Sequence, residues 1–236
     1  VREMLPEVFV PELPKDPEDY NTFLSKLRCF DKIYITDEDK IRGNLYKSES
    51  KRTKLKQQLK SLSDWIKTLD LTITIENIKN ENTPRAVQLL NKTNQMNLST
   101  RRLNEREFNK WVQEDKNNLW TIRAADKFGD YGIIGIFSIS IKDNVATLVD
   151  FILSCRVVGR YIEETMIEFL KEFCYENNVN KIKGKYKKTE KNSLCYYFFN
   201  KLKLIDSNQH SFEFSSNQKK SNLLNIKVKK PTMEKK

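Results

Sequence analysis

Residues 153–164 read LSCRVVGRYIEE. An apolar run, VATLVDFILSC at 145–155, stops at Arg156; a glycine follows at Gly159, and then two acidic residues, Glu163 and Glu164. Beyond them Ile162, Met166, Phe169 and Phe173 recur at helical spacing, which predicts a helix over 160–176. A strand therefore feeds a helix through a short turn. A helix start presents unpaired backbone N–H groups and a partial positive charge, and a glycine lets an anion approach them. Arg156 and Arg160 would add charge-assisted bonds to a phosphate. The same residues serve equally well as a plain strand-to-helix turn.

The pattern extends in both directions. Downstream, NKIKGKYKK (180–188) reads as a strand, so a strand–helix–strand crossover makes its two strands parallel. KNSLCYYFFNKL (191–202) reads as a helix and NLLNIKVK (222–229) as a late strand. Upstream, LTITIENI (71–78), LWTIRAAD (119–126) and IIGIFSISI (133–141) are rich in β-branched residues and read as strands. KFGDYG (127–132) and Lys142-Asp143-Asn144 supply hairpin turns. Thr83-Pro84 opens a helix through Leu90, Asn104 with Glu107 caps another, and NQMNLSTRRL (94–103) between them reads as a polar loop. The predicted class is α/β: a mixed central sheet with helices on both faces.

Residues 1–70 read differently. Asp16-Pro17 starts a helix whose Tyr20, Phe23, Leu24 and Leu27 share a face. Thr36 with Asp39 resembles a capping box. Ile41, Leu45, Arg52, Leu55, Leu59 and Leu62 then predict one long amphipathic helix, followed by a short one at Trp65, Ile66 and Leu69. The strand-like EVFVPEL (7–13) has no evident partner, and the chain begins with Val, so it is expected to derive from a longer protein. The expected organisation is a helical lead-in at 1–70, the α/β domain at 71–229 and a disordered tail at 230–236.

The 236 residues carry 43 Lys+Arg against 32 Asp+Glu, a formal charge of +11. That balance invites a polyanionic partner, although Lys and Asn excess of this kind also follows from an A/T-rich coding sequence. Nucleic acid is not the expected partner, because no helix-turn-helix, zinc-finger or RNA-binding aromatic signature occurs. The four cysteines are scattered and the single histidine is His210, so no metal is expected and a reducing, cytoplasmic compartment is. No apolar run is long enough to span a bilayer. Lys181, Lys183, Lys185 and Lys187 alternate onto one side of their strand, either a solvated face or a docking surface for an acidic protein.

At Arg156-x-x-Gly159-x-Tyr161 the chain resembles the GNAT acyltransferase superfamily, whose phosphate loop is Gln/Arg-x-x-Gly-x-Gly/Ala; Tyr161 replaces the small third residue. KTNQMNLSTRR (92–102), FGDYGIIGI (128–136), FILSCRVVGR (151–160) and KTEKNSLCYYFFNKL (188–202), in that order, resemble the C-terminal GNAT-like region of FkbH-like proteins. Those proteins join a HAD-type domain to a GNAT-like one and are associated with loading a glyceryl unit onto an acyl carrier protein. The resemblance implies a CoA thioester or phosphopantetheine arm as ligand. Phe151, Ile152, Leu153 and Ser154 would lie beside the arm, Arg156, Gly159 and Arg160 would hold phosphate, and Asn192 would position the arm. It also implies an acyl carrier protein and an upstream HAD-type domain as partners.

The HAD motif Asp-x-Asp-x-Thr/Ser does not occur in residues 1–236, and Asp37-Glu38-Asp39 reads as the first turn of a helix. Phosphoryl transfer is therefore not expected of this chain. In active GNAT enzymes a tyrosine on the late helix often protonates the leaving thiolate; Phe199 stands in that place, and a phenyl ring has no proton to give. The catalytic residue is left open. The expected function is a thioester-recognising module of an FkbH-like system, with a free-standing CoA-dependent acyltransferase as the second reading and a basic nucleic-acid-binding or structural domain as a third.

Overall fold

The computed structural model describes residues 2–5, 8–29, 31, 37–59, 61–202, 205–206, 211–217 and 226–233. It divides into two compact units, Val1–Tyr46 and Lys47–Lys236.

In the first unit the described part of the strand-like segment, residues 8–13, forms no strand; the Arg2 guanidinium donates to the Val10 carbonyl instead, at 2.9 and 3.2 Å. Asp16 caps a 3-10 turn at Pro17–Asp19, its carboxylate accepting from the Glu18 N–H at 3.0 Å. Helix α1 (Tyr20–Lys26) follows, with Leu24 exposed on the face expected to be apolar. Thr36 lies outside the described residues. Helix α2 (Asp37–Gln57) begins at the acidic triplet and ends sooner than its apolar spacing implies, for Leu59 falls in a turn and Leu62 opens α3 (Leu62–Leu69). Ser61 ends the run by capping α3, accepting from the Asp64 N–H at 3.1 Å.

The second unit is built on one sheet. Its strands are β1 (Thr72–Asn77), β2 (Met96–Asn97), β3 (Asn117–Asp126), β4 (Gly129–Lys142), β5 (Val145–Leu153), β6 (Lys181–Lys185), β7 (Ile205–Asp206), β8 (Ser211–Ser215) and β9 (Lys227–Lys229). Helices α4 (Thr83–Lys92), α5 (Glu105–Gln113), α6 (Ile162–Glu176) and α7 (Ser193–Lys201) connect them. The strand order is β7-β8-β6-β5-β4-β3-β1-β9, with β2 added on β5. The hairpins β3–β4 and β4–β5 are antiparallel, whereas the α6 crossover makes β5 and β6 parallel. Asp143 and Asn144, both at positive φ, close the two-residue turn between β4 and β5, as a I′ turn requires.

Each sheet face carries its own core. Trp65, Ile66 and Leu69 of α3 join the apolar residues of α6 and α7 on one face. Trp120 and Phe137 stack there 5.2 Å apart, with Phe169 and Phe173 of α6 edge-on to Trp120. On the other face Ala86, Leu89 and Leu90 of α4 and Phe108 of α5 cover Ile136 and Ile152. The Asn104–Glu107 capping box is formed reciprocally.

Of the tail expected at 230–236, residues 234–236 lie outside the described residues. Lys230 pairs with Glu172, and the Asn177 side-chain amide donates to the Met233 carbonyl at 2.6 Å, so residues 230–233 are held against the domain.

Candidate functional site

Strands β5 and β6 run side by side only over Val145–Leu148 and Lys181–Gly184, the first half of β5 and nearly all of β6. Past that point β5 pairs instead with β2, Met96 opposite Leu153 and Asn97 opposite Ile152. The loop expected at 94–103 thus contains a strand, and it lies in the fork between β5 and the end of β6. Leu98 continues the ladder, its N–H donating to the Phe151 carbonyl at 3.2 Å, while its own carbonyl accepts from the Lys187 N–H at 3.0 Å. Residues 96–98 are buried, so their backbone groups need partners; β5 provides them on one side, and the Lys187 N–H and the Asn192 side chain on the other.

Asn192 fastens this insert. Its side-chain amide donates to the carbonyls of Asn97 (3.0 Å) and Lys187 (2.8 Å). Its Oδ1 accepts from the Tyr186 hydroxyl (2.7 Å) and the Thr189 N–H (2.8 Å). Asn97 in turn folds its own loop, donating to the Thr93 carbonyl and accepting from the Thr100 N–H. Cys195 sits fully buried against the same backbone, and burial pushes its thiol up to about 12 despite a hydrogen bond from Asn97.

At the loop before α6, Cys155–Val157 makes a single 3-10 turn, Gly159 adopts φ 76° and Tyr161 caps the helix at φ 61°. The tyrosine ring is half-buried against the core. The Gly159 N–H, a donor expected for phosphate, is given at 2.8 Å to Oε1 of Glu163. Glu163 is buried, its Oε2 has no hydrogen-bond partner, and desolvation pushes its carboxyl up to about 7. Arg156 Nε donates to Ser154 Oγ at 3.3 Å. Arg160 leaves the loop altogether: it is 4% exposed, bonded to the Tyr131 hydroxyl and Glu49, with its guanidinium over the Trp65 and Tyr131 rings.

That interaction belongs to a buried network. Arg52 of α2 grips Asp126 through Nε (2.7 Å) and Nη2 (2.8 Å), both residues being essentially unexposed. Tyr131 donates to Asp126 at 2.6 Å and lies 4.0 Å under the Arg52 guanidinium. Burial would raise the Asp126 carboxyl, but hydrogen bonds from Arg52, Tyr131 and the Phe128 N–H hold it below the usual carboxylate range. Burial drives the Tyr131 phenol well up, so it stays a donor.

A second network pins the loop around β2. Buried Asp150 accepts from Ser138 (2.6 Å), Ser99 (2.9 Å) and Arg101 Nε (2.8 Å), and Arg101 lies 4.4 Å over the Trp111 ring. Beside it Asn94, Thr100, Arg102, Thr189, Glu190 and Lys191 line a cleft of about 310 Å³. Segments 92–102 and 188–202 meet here. Arg102 spans the cleft wall, bonded to the Leu90 carbonyl and to Asn94 Oδ1.

Of the residues singled out in the sequence, Phe151, Ile152, Leu153 and Asn192 gather at the fork, with Ser154 and Arg156 just beyond it; Gly159 lies on the loop and Arg160 in the network under α2. Phe199 is fully buried between Phe151 and Phe212, at 5.2 and 4.6 Å, and offers no acid. The cap made by Glu163 and the pairing of residues 96–98 with β5 were not anticipated from the sequence. The available signal was a glutamate four residues after a loop glycine at a helix start, the spacing at which a carboxylate can reach back to cap. Among the described residues no group of three His, Cys, Asp or Glu could hold a metal, and no helix is long and apolar enough to cross a membrane.

The arm expected from the sequence would lie at the fork and its phosphate at the loop. The residues present do not fit CoA lying along β5: the backbone edge at 151–153 is paired, and the Gly159 N–H faces a carboxylate.

No protein-family model matches the chain, and no curated protein does. Solved structures similar to it include a domain from Methanocaldococcus jannaschii, at 13% identity over 61% of this chain and 99% of that one, with a TM-score of 0.48. An acetyltransferase of the GNAT family from Staphylococcus aureus shares 10% identity over 62% and 100%, with a TM-score of 0.47. The ribosomal-protein-S18-alanine N-acetyltransferase from Escherichia coli shares 10% over 64% and 99%, with a TM-score of 0.46. The fold is α/β, a mixed sheet with helices on both faces.

Proposed function

We propose that the chain is a GNAT-like acyl-thioester-recognising module of an FkbH-like glyceryl- or acyl-transfer system, and that the arm it meets is carried by an acyl carrier protein. The observation that carries this reading is the 310 Å³ cleft at the mouth of the fork, where Arg102 and Lys191 stand among the amide and hydroxyl groups of Asn94, Thr100 and Thr189. A phosphopantetheine arm on a carrier protein presents amides and one phosphodiester. Two cations and three neutral polar side chains suit that ligand, and Glu190 on the rim disfavours a more highly charged one. The exposed Lys183 and Lys185 on β6 add positive charge for an acidic carrier.

The test is titration of the full chain at low salt with an acidic carrier protein, with and without its phosphopantetheine. The arm-bearing form is expected to bind about tenfold more tightly, and Arg102→Ala or Lys191→Ala to lose about that factor. Equal affinity for the two forms overturns arm recognition. Saturable CoA binding with acyl transfer to an amine or hydroxyl would instead establish the free-standing acyltransferase.

A further inference from the structure

We propose that this chain does not take CoA in the groove its fold implies, because it fills that groove itself: residues 96–98 stand where the pantetheine arm would pair with β5, and the Glu163 carboxylate stands where the diphosphate would meet the loop before α6.

Two independent observations converge. The first is in the sheet. An arm lying along β5 needs the free backbone groups of 151–153, and these face Met96, Asn97 and Leu98 in antiparallel register. The insert is fixed from both sides, by the ladder to β5 and by the Lys187 N–H and the Asn192 amide. It is also held from behind, because the Arg101–Asp150 pair ties the same loop to β5 from the opposite sheet face. Met96 and Leu98 are at most 1% exposed, so removing the segment would uncover apolar side chains as well as backbone.

The second is at the helix start. A diphosphate there competes with a carboxylate already attached to the chain and already within 2.8 Å of the Gly159 N–H. An intramolecular ligand of this kind has a high effective concentration, and Glu163 is buried with one oxygen lacking any partner, so it cannot simply swing into water. The arginine closest in sequence to the helix is also spent, since Arg160 is bound to Tyr131 and Glu49. This inference stands apart from the carrier-protein reading, which uses the outer cleft.

The experiment uses the full chain and CoA itself as probe. Equilibrium dialysis is expected to show no saturable CoA binding up to about 1 mM, against micromolar values ordinary for a cosubstrate; a Kd below about 100 μM overturns the proposal. Native-state hydrogen exchange gives a readout that does not depend on a null result. The amides of Leu98 and Lys187 are expected to be protected as strongly as those of β5, with or without CoA. Rapid exchange at Leu98, slowed at 151–154 by CoA, overturns the strand half. In Glu163→Ala the Gly159 amide is expected to exchange at least about tenfold faster while Leu98 is unchanged; unchanged Gly159 protection overturns the carboxylate half. Glu163→Gln, which retains an acceptor, should restore the protection.

Discussion

Asn192 donates its side-chain amide to the carbonyl of Asn97 at 3.0 Å, joining residues 95 positions apart in the chain. The bond ties the start of α7 to β2, and the side-chain NH2 groups of both residues donate to backbone carbonyls. Asn192→Ala removes two donations and two acceptances inside a site with no exposure. The variant is expected to lose about 3 kcal/mol of stability, read as a lower urea midpoint with an unchanged slope.

Arg52→Ala leaves Asp126 buried with its main counter-charge gone, and is expected to cost about 3–5 kcal/mol by chemical denaturation. Because Asp126 is held below the ordinary carboxylate range in the folded chain, its pairing stabilises the fold at all pH values above that range. The contribution fades as pH falls below about 3.8, where the unfolded carboxylate begins to take up protons. The variant should therefore show a shallower acid limb than the parent chain.

Glu163 has the opposite sign. Its carboxyl titrates at about 7 when folded against 4.5 in the open chain, so the folded form holds the proton across that interval. Its contribution to stability is fully present below about 4.5 and is lost as pH rises through about 7, by about 3 kcal/mol in all. Neighbouring Glu164 pushes in the same direction and Lys201 of α7 in the other, so Glu163→Gln, keeping shape and acceptor, should flatten this slope; urea midpoints at pH 5 and pH 8 decide it.

Gly135 lies in the middle of β4, where a Cβ would stand 2.7 Å from the Ile152 carbonyl oxygen and 3.0 Å from Leu153. The obstruction is backbone and cannot rotate away. Gly135→Ala is expected to cost about 1–3 kcal/mol and to loosen the β4–β5 ladder, seen as faster amide exchange at Ile152 and Leu153.

Much of the sheet was legible because its strands alternate or run apolar between strong turn residues, and because α6 repeats its apolar residues at 3.6 spacing. The fork was not. β2 is two residues long inside a polar run, and what makes Met96 and Asn97 a strand is β5, more than fifty positions away, rather than anything local. Arg160 illustrates the same limit. Its place beside Gly159 suggested phosphate, yet direction is set by Tyr131, Glu49 and the indole of Trp65, which only the fold brings near. The end of α2 misled for a local reason: leucine spacing continues smoothly through residues 55, 59 and 62, but Ser61 caps a new helix and breaks the register. The polar loop at 94–103 borders the cleft, and its Asn97 and the Arg102–Asn94 pair also hold the loop itself.

Strand β9 lies parallel to β1, Lys227 opposite Thr72 and Lys229 opposite Thr74, and among the described residues no strand lies beyond it. Three residues near the end of the sequence thus act as a selvedge for the whole sheet. A shortened version stopping at Ile226 would leave a raw row of amides and carbonyls along β1, with the apolar Ile73 and Ile75 just behind it. Such a truncation should behave like cut cloth, knitting to its own copies, and light scattering of that version beside the intact chain would reveal it.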